Sequence, residues 1–355
     1  MGAAIAWRLA LGGHRVDVLD RLEPGHALGS SHGPSRAFRL AHEDPDYALL
    51  ATESLACWRE LELLARTSLL RPLGTLEWGA DTAPYRATLG DCGVVWEDLD
   101  AAEVRRRFDV RLPRGELALW QPDGGVLAAT RSVQTLVRLA TEAGARFWYG
   151  VEVRGLEGEV PARVATDKGY FTADVVVLAA GPWLPALART AGLELPITVV
   201  RRHVAYLSLG RADLPVLIDG GEPPWSLIPR VFGGPGLRVG LPADEGASHV
   251  DPDEEAALPS ARQIEEARLW LEARTAGTPE VVAVDPCLCA TTPDREFIIA
   301  RKGPVVVVSA CNGQGFKFAP RLARTVVELV EGGLPHLPGD LVGRWASAVR
   351  KEQLS

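Results

Sequence analysis

Apolar residues along this chain fall into short, fully apolar runs and longer stretches with helical periodicity. The apolar segment Gly2–Leu11 predicts a helix, and the Gly-Gly pair after it predicts a stop before a strand at Arg15–Leu19. The runs Val175–Leu178 and Val305–Val308 have no polar position, which is typical of strands covered on both faces in a parallel sheet. Buried strands that alternate with helices predict an α/β fold.

Segments of a different character separate these runs. Amphipathic helices are predicted at Tyr47–Arg66 and Ala261–Thr275, together with shorter strands and turns rich in proline and glycine. No internal repeat or low-complexity linker divides the chain. We therefore predict two interleaved domains: a discontinuous nucleotide-binding domain formed by residues 1–45, 131–195 and 286–355, and a substrate domain formed by residues 46–130 and 196–285.

Composition narrows the class of protein. The 355 residues carry a net charge of −8 and no basic run, which argues against a nucleic-acid partner. No apolar stretch reaches the length of a membrane span, and the seven histidines show no metal-ligand spacing. Five cysteines, an odd number in a long chain, indicate a reducing compartment rather than a disulfide framework. We expect a soluble, cytoplasmic protein without a metal, a nucleic-acid partner or a membrane partner.

The opening segment matches the later parts of a Rossmann βαβ unit. A helix that starts at Gly2, a turn, and a strand that ends in the acidic Asp20 follow one another as in that unit. The first strand and the first two glycines of the G-x-G-x-x-G motif are not in the sequence. The segment therefore predicts only the second part of a nucleotide-binding motif.

Three further motifs combine glycine with arginine, cysteine or lysine. They are GSSHGPSRAFRLAH at 29–42, PCLCATTPDREFII at 286–299 and NGQGFKF at 312–318. The last motif opens a helix after the buried run at Val305–Val308, and free N–H donors at such a helix start attract anionic groups. Lys317 stands out in it, because only four residues of the chain are lysines.

In this order, and over nearly the whole chain, the motifs resemble those of the FAD-dependent amine oxidases related to monomeric sarcosine oxidase and N-methyltryptophan oxidase, within the wider D-amino-acid oxidase group. The opening resembles the end of the family's G-A-G-x-M-G, and 29–42 resembles G-S-x-H-G-x-x-R-x-x-R. The segment 286–299 resembles C-x-Y-T-x-T-P-D-x-x-F, and 312–318 resembles x-G-H-G-F-K. The resemblance implies a GR2-type FAD-binding Rossmann domain, without its first strand, and an inserted α+β substrate domain.

The resemblance also implies roles for individual residues. Gly2 is expected to let the first helix pack close to a strand, and Asp20 to bind the adenosine ribose. Arg36 is expected against the isoalloxazine ring, while Arg39 and Lys317 are expected to hold a substrate carboxylate. The other residues expected to bind FAD are Arg21, Ser31, His32, Val153, Ala180, Gly181, Trp183, Gly313, Gly315 and Phe316.

Other matched positions concern flavin attachment, oxygen and the substrate pocket. Cys287 falls on the family's cysteine that forms a thioether to the flavin 8α-methyl group, and Cys289 is the alternative on the same strand face. Arg238, a further catalytic position, stands where the family has a lysine that promotes reaction of the reduced flavin with oxygen. Pro242 replaces a histidine of the substrate pocket, and Trp225 is expected either near the pocket wall or in the core.

The implied function is flavin-dependent oxidation of a C–N bond in a carboxylate-bearing amine, secondary or cyclic, by a monomeric enzyme. A hydride equivalent is expected to pass to flavin N5, and the electrons then to O2, giving H2O2. Because Arg238 replaces the lysine, a dehydrogenase that uses another electron acceptor is the first alternative. A nicotinamide-dependent dehydrogenase and a non-enzymatic, N-terminally truncated paralogue are the others.

The absent first strand leads to an expectation of its own. A start codon assigned about a dozen residues too far downstream accounts for it. A chain that begins at Met1 is expected to bind FAD weakly or to misfold, because the pyrophosphate loses its closest backbone contacts.

Overall fold

The computed structural model describes residues 1–157, 162–210, 213–242 and 249–350. Its α-helices are α1 (Gly2–Leu11), α2 (Pro45–Ala65), α3 (Ala83–Asp91), α4 (Ala101–Phe108), α5 (Ala129–Glu142), α6 (Leu184–Thr190), α7 (Ala261–Arg274), α8 (Ala319–Val330) and α9 (Leu341–Arg350). Short 3-10 helices lie at Gly181–Trp183 and Gly315–Phe318. None of the helices in these ranges is both long and apolar enough to cross a membrane.

The strands of the same ranges form five sheets. They are β1 (Asp17–Asp20), β2 (Ser35–Phe38), β3 (Leu70–Arg71), β4 (Thr75–Trp78), β5 (Glu97–Leu99), β6 (Ala118–Gln121), β7 (Gly125–Ala128), β8 (Arg146–Tyr149), β9 (Val153–Glu157), β10 (Ala162–Thr166), β11 (Gly169–Ala173), β12 (Val176–Leu178), β13 (Thr198–Ser208), β14 (Val216–Asp219), β15 (Trp225–Ile228), β16 (Leu237–Gly240), β17 (Glu280–Thr291), β18 (Ile298–Lys302) and β19 (Val305–Ser309).

Local sequence accounts for where the amphipathic helices begin. The Asp44 carboxylate accepts a hydrogen bond from a backbone N–H in the first turn of α2 at 2.8 Å, and Pro45 occupies the first helical position. At α7, Ser260 and Gln263 form a capping box. Both helices confirm the amphipathic segments predicted from the sequence.

The apolar runs also fold as predicted. The opening segment is helix α1, and the two fully apolar runs contain β12 and β19. These strands pair in parallel, with Val176 opposite Val305. The α/β fold class is therefore confirmed. Strand β19 is buried along its length, whereas Val176 and Val177 of β12 are half-buried and line a cavity, so the expected cover on both faces is not present at β12.

The largest sheet contains eight strands in the order β17-β13-β16-β15-β14-β4-β6-β5. Its neighbours pair antiparallel, except that β14 and β4 are parallel. Successive side chains of a strand point to opposite faces. One face packs Leu76, Leu227, Leu237 and Val239 against Trp270 of α7 in a buried core. The other face is turned to the rest of the molecule.

The parallel strands lie in two separate groups. β1 pairs with β8 from Asp17 opposite Arg146 to Asp20 opposite Tyr149. β12 and β19 form the second group, and β18 adds an antiparallel edge. No strand of the described residues joins β1 to β12 by hydrogen bonds, and a cavity opens between them. The parallel sheet of the nucleotide-binding part is thus interrupted at this point.

Apolar side chains form two large cores. The first joins α1, α2, α5 and α8 to the parallel strands and contains the fully buried Trp58, Phe318 and Trp345. The second lies between the eight-stranded sheet and α7. Helix α2 falls within the range predicted for the substrate domain but packs against α8 in the first core. The domain boundaries given above stay a prediction.

Gly74, between β3 and β4, provides a test of the second core. Its φ is +75°, and a Cβ there would lie 1.8 Å from the Trp120 ring. We expect Gly74→Ala to lower the free energy of unfolding by about 3 kcal/mol or more, because backbone strain and overpacking add. Urea unfolding followed by tryptophan fluorescence measures the loss.

Gly144→Ala is the matched control. The φ of Gly144 is +100°, and no described heavy atom lies within 4 Å of a Cβ at that position. Backbone strain alone should lower its stability by about 1–2 kcal/mol. Equal losses in the two variants would contradict the proposed clash with Trp120.

Candidate active site

A cavity of about 1680 Å³ runs between the parallel strands and the eight-stranded sheet. Asp20, at the carboxyl end of β1, lines one end, and Cys287 and Lys317 line the other. The gap between β1 and β12, lined by Val18 and Val177, contributes part of the volume. Ligands of open α/β sheets bind at the carboxyl ends of the strands, and this cavity lies there.

Strand alternation determines which side chains of the large sheet enter the cavity. On β16, Leu237 and Val239 face the second core, whereas Arg238 faces the cavity. On β17, Cys287 and Cys289 both line the cavity. The polar wall of the site is therefore one face of the sheet whose other face is core.

The turn after β19 is fixed by several contacts. Asn312 has a φ of +60°, and its side-chain oxygen accepts a hydrogen bond from the backbone N–H of Thr292 at 3.0 Å. A Cβ at Gly315 would lie 1.9 Å from a backbone carbonyl oxygen, so this position requires glycine. The indole N–H of Trp58 donates to the carbonyl oxygen of Lys317 at 2.6 Å. These constraints hold the 3-10 helix that carries Lys317.

Arg36 gives the same end of the cavity a positive field. Its Nη1 and Nη2 donate to the carbonyl oxygens of Ser35 and Ser30, each at 2.8 Å. The guanidinium carbon lies 5.8 Å from the centroid of the Phe316 ring. Burial, with the charge of neighbouring Arg238, lowers the pKa of Arg36 to about 10. Two guanidinium groups at this end suit an anionic group.

Arg39 is held in a buried polar network. Its Nη1 donates to Glu77 Oε2 at 2.5 Å, and Glu77 is 2% exposed. Gln121 donates to the other carboxylate oxygen at 3.0 Å and accepts from the backbone N–H groups of Leu40 and Ala41 at 3.1 and 3.0 Å. Burial acts to lower the pKa of Arg39, but the charges of Glu77 and Tyr85 and the hydrogen bonds to both residues together outweigh it, and the pKa is raised. Arg39 is thus a fixed cation balanced by Glu77.

Lys317 lies beside this network. It is 4% exposed, its Nζ donates to the carbonyl oxygen of Gln314 at 3.5 Å, and Nζ is 4.5 Å from the centroid of the Phe318 ring. Burial, and after it the charge of Arg39, holds the pKa of Lys317 well below its usual value. Burial and the same two cations also hold the pKa of His42 well below its usual value.

The opposite end of the cavity has its own polar arrangement. An Asp20 oxygen accepts a hydrogen bond from the backbone N–H of Leu22 at 3.0 Å. Arg21 forms an ion pair with Asp253, and its guanidinium carbon lies 4.7 Å from the Trp183 ring centroid. The indole N–H of Trp183 donates to Asp253 at 2.9 Å. Asp253 therefore joins two predicted cofactor-binding residues.

The cysteines of the cavity wall differ in their surroundings. All five cysteines of the chain are free thiols. Burial, with the neighbouring Cys287, raises the pKa of Cys289 to about 11. A thiol of high pKa is a poor nucleophile at neutral pH, which favours Cys287 over Cys289 as the reactive position.

Every residue predicted for the site lines this cavity. They are Gly2, Asp20, Arg21, Ser31, His32, Arg36, Arg39, Val153, Ala180, Gly181, Trp183, Arg238, Cys287, Gly313, Gly315, Phe316 and Lys317. Their individual contacts with a cofactor or a substrate stay a prediction. No described heavy atom lies within 4 Å of a Cβ at Gly2, so the close helix–strand contact implied for this glycine is not present there.

Two further expected positions do not line the cavity. Trp225 stacks on Trp270, with ring centroids 5.7 Å apart, because alternation along β15 turns Trp225 to the core and Ser226 to the cavity. The core interpretation of Trp225 is confirmed. Pro242 lies outside the wall, where its carbonyl oxygen accepts from Gln263 at 3.3 Å, so its expected pocket position is wrong.

Sequence reasoning did not identify Glu77, Gln121 or Asp253. Glu77 does carry a signal, because a carboxylate in the otherwise buried strand Thr75–Trp78 needs a partner. The sequence around Gln121 and Asp253 contains no such signal, since the residues to which they are hydrogen-bonded are far away in the chain.

Comparison with known proteins places the chain in a family. The family of FAD dependent oxidoreductases, DAO, matches residues 1–329. The chain belongs to this family, and within it to the flavin-dependent amine and amino-acid oxidases that include sarcosine oxidase and N-methyltryptophan oxidase. It is an FAD-dependent oxidoreductase, so the nicotinamide-dependent alternative is wrong.

Three relatives show how far the similarity extends. The chain is 28% identical over 353 residues to peroxisomal sarcosine oxidase from Mus musculus, covering 92% of this chain and 89% of the relative. It is 28% identical over 352 residues to N-methyl-L-tryptophan oxidase from Citrobacter koseri, covering 94% and 93%. The solved structure of NikD, an unusual amino acid oxidase essential for nikkomycin biosynthesis, matches with a TM-score of 0.85, 28% identity, and coverage of 97% and 94%.

The residues of the cavity fit FAD. The cavity is larger than the roughly 300–1,000 Å³ of an ordinary ligand pocket and has room for a long ligand between Asp20 and Cys287. Gly181 has a φ of +56° and no described heavy atom within 4 Å of a Cβ position, so the backbone is open to a ligand there. The guanidinium groups of Arg36 and Arg238 match the charge of a reduced flavin.

The ion pair of Arg39 and Glu77 can be tested through folding. Arg39→Ala leaves the Glu77 carboxylate buried without its cation, so we expect the free energy of unfolding to fall by about 3 kcal/mol at neutral pH. Adding Glu77→Gln should recover about half of that loss, because the amide keeps the shape and needs no counter-ion. Urea unfolding of both single variants and the double variant completes the cycle. Strictly additive losses would show that the two residues are not coupled.

Proposed function

We propose that the enzyme oxidises a C–N bond in a small amine that carries a carboxylate, such as a secondary or cyclic amino acid. The observation that carries the proposal is the position of Arg39 and Lys317 in the cavity end that also holds Arg36 and Cys287, the predicted flavin end. A guanidinium and an amine together suit a carboxylate, since arginine binds carboxylate oxygens through paired hydrogen bonds. The names of the similar sarcosine and N-methyl-L-tryptophan oxidases support an amino acid as substrate.

Orientation is the main contribution of these residues. A carboxylate bound at Arg39 and Lys317 would be held in one orientation, because Glu77 fixes the Arg39 side chain and Trp58 fixes the backbone that carries the buried Lys317. Bound FAD supplies the redox chemistry by accepting a hydride equivalent at N5 from the carbon next to nitrogen. The protein then has to hold that carbon toward the cofactor and keep other reactive groups out of the site.

Charge stabilisation is the second contribution. Arg36, the neighbouring Arg238 and the helix start at Gly315–Phe318 place positive charge at the flavin end of the cavity. At the other end, Asp20 is proposed to accept hydrogen bonds from the adenosine ribose. The remaining predicted residues are proposed to line the length of the cofactor between these ends.

O2 is the proposed electron acceptor, with H2O2 as product, and the enzyme is proposed to act as a monomer on a small molecule. The alternative is the same oxidation with another acceptor, because Arg238 occupies the position of the family's oxygen-promoting lysine. Peroxide formed under air, compared with reduction of a dye in the absence of oxygen, distinguishes the two.

Cys287 is the proposed attachment point of the flavin, through a thioether to the 8α-methyl group. Cys287 would hold the flavin through its sulfur after loss of the thiol hydrogen, and the flavin would supply the oxidising capacity that formation of this bond requires. The raised pKa of Cys289 supports Cys287 as the nucleophile.

The absorption spectrum before and after acid precipitation tests the cofactor and the link together. For protein expressed from its native gene, with any coding sequence upstream of Met1, we expect flavin bands that remain with the pellet. The bands should also stay with Cys289→Ser but be released from Cys287→Ser, which removes the nucleophile. Bands released from the unaltered protein would contradict the link alone. A folded protein without any flavin would support the non-enzymatic alternative and contradict the proposed function.

Arg238→Lys tests the role of this position in oxygen reactivity. A lysine ammonium is a more compact charge than a guanidinium, so we expect reoxidation by O2 to accelerate about tenfold, a barrier lower by about 1.4 kcal/mol. Stopped-flow absorbance after reduction with dithionite measures the rate. Arg230→Lys, at an exposed arginine outside the cavity wall, is the control and should leave it unchanged. An unchanged rate in Arg238→Lys would show that the arginine is not what limits use of oxygen.

A further inference from the structure

Lys317 is a buried amine at the place where the proposed substrate carboxylate binds. It lines the cavity and is 4% exposed. The hydrogen bond of its Nζ runs to the carbonyl oxygen of Gln314 at 3.5 Å, a long and neutral contact. Among the described residues, no carboxylate forms an ion pair with Nζ. Before a carboxylate binds, a protonated Lys317 therefore has the long contact with Gln314 and the Phe318 ring 4.5 Å away, but no carboxylate partner, to offset the loss of water.

The charged and titratable groups facing Lys317 come from neighbouring segments. Arg39 and His42 follow β2, and Glu77 is on β4. Glu77 is already balanced by Arg39 and bound by Gln121. A second cation at Lys317 would be an uncompensated charge in this cluster, and burial and Arg39 accordingly hold the pKa of Lys317 well below its usual value.

The proposed reaction needs a group that removes a proton from the substrate. An amine of ordinary basicity is almost entirely ammonium at neutral pH. An ammonium nitrogen has no lone pair, and loss of hydride from the adjacent carbon needs that pair to form the C=N bond. An amino acid that enters as its zwitterion must therefore lose one proton from nitrogen before it is oxidised.

We propose that Lys317 Nζ accepts this proton, so that binding of the substrate carboxylate and deprotonation of its ammonium are one coupled event. The inference rests on the proposed function. One N–H bond of the substrate breaks, its electron pair stays on the substrate nitrogen, and one N–H bond forms at Nζ. The total charge of the site does not change, while the new ammonium of Lys317 faces the carboxylate. The arriving carboxylate raises the proton affinity of Nζ, which drives the transfer.

Other titratable groups of the cluster are less suited to this role. The guanidinium of Arg39 cannot give up its own proton and has no lone pair to offer. His42 Nε2 is buried without a hydrogen-bond partner among the described residues, but His42 does not line the cavity. Glu77 is bound by Arg39 and Gln121 and does not line the cavity either. Lys317 is the group of this cluster that combines a free acceptor with access to the cavity.

The inference adds a basis for specificity. An amine without a carboxylate brings no negative charge to Lys317, so it leaves the proton affinity of Nζ low and remains an ammonium. The enzyme then selects carboxylate-bearing amines at the proton-transfer event as well as through binding contacts.

Two ligands of matched shape test the inference on the oxidised, flavin-loaded enzyme. Pivalate carries a carboxylate and no amine; 2-aminoisobutyrate has an ammonium in place of one methyl group and has no hydrogen on its α-carbon to lose. Titration calorimetry at about pH 7.5 in buffers of different ionisation enthalpy reports the protons exchanged on binding. Pivalate should take up about one proton from the buffer, and 2-aminoisobutyrate about none, since it supplies its own.

Variants assign the effect to Lys317. In Lys317→Arg the site cation is always charged, so pivalate should bind without proton uptake. Lys168→Arg, at an exposed lysine outside the cavity wall, should behave as the unaltered protein. The comparison of the two ligands in the unaltered protein stands by itself if Lys317→Arg does not fold.

Two results would overturn the inference while leaving the proposed function in place. Pivalate binding without proton uptake would mean that Lys317 is already an ammonium in the empty site. Equal uptake with both ligands would mean that the substrate ammonium keeps its proton. Failure of both ligands to bind would instead overturn the carboxylate site and with it the proposed function.

Discussion

Strands β14, β15 and β16 of the eight-stranded sheet turn one face to a buried core and the other to the cavity, so a register slip of one residue would exchange the two sets of side chains. On β16 such a slip would place Arg238 in the core and Val239 in the cavity. Burying a guanidinium without a partner is costly, so the polar face fixes the register together with the apolar face. The positions of Ile218, Ser226 and Arg238 in the cavity depend on that alternation, whereas the successive residues 287–290 of β17 all line it.

Charge balance determines what the cavity can bind. Arg39 and Glu77 neutralise each other in a network completed by Gln121. The charge of Glu77 also favours a protonated Lys317, but burial and the charge of Arg39 outweigh it and hold the pKa of Lys317 well below its usual value. A protonated Lys317 adds one positive charge to this cluster. The carboxylate of a bound ligand carries one negative charge, which balances it. The ion pair of Arg39 with Glu77 therefore has a second effect besides the positioning of Arg39. It leaves the positive charge of a protonated Lys317 for the ligand to balance.

Local signals explain which parts of this structure could be predicted from the sequence. Helix α1 follows from a segment that is apolar except for Arg8, strand β19 follows from a run of four valines, and the motif residues follow from a resemblance that spans the chain. The direction of Trp225 could not be predicted, because it depends on the register of β15 between its neighbours. The contact of Arg39 with Glu77 could not be predicted either, since Arg39 follows β2 and Glu77 is on β4, strands of two different sheets that only tertiary packing brings together. Side-chain pairs across strands are set by tertiary structure, which a local pattern does not contain.

The two ends of the cavity are held with unequal strength. Arg39 and Glu77 form a buried pair, and removing one partner leaves a desolvated charge. Arg21 and Asp253 form a more exposed pair, and such pairs contribute about 0–1 kcal/mol and weaken with salt. Loss of one partner is therefore expected to cost less stability at the end beside Asp20 than at the end beside Lys317, where Glu77 is almost fully buried.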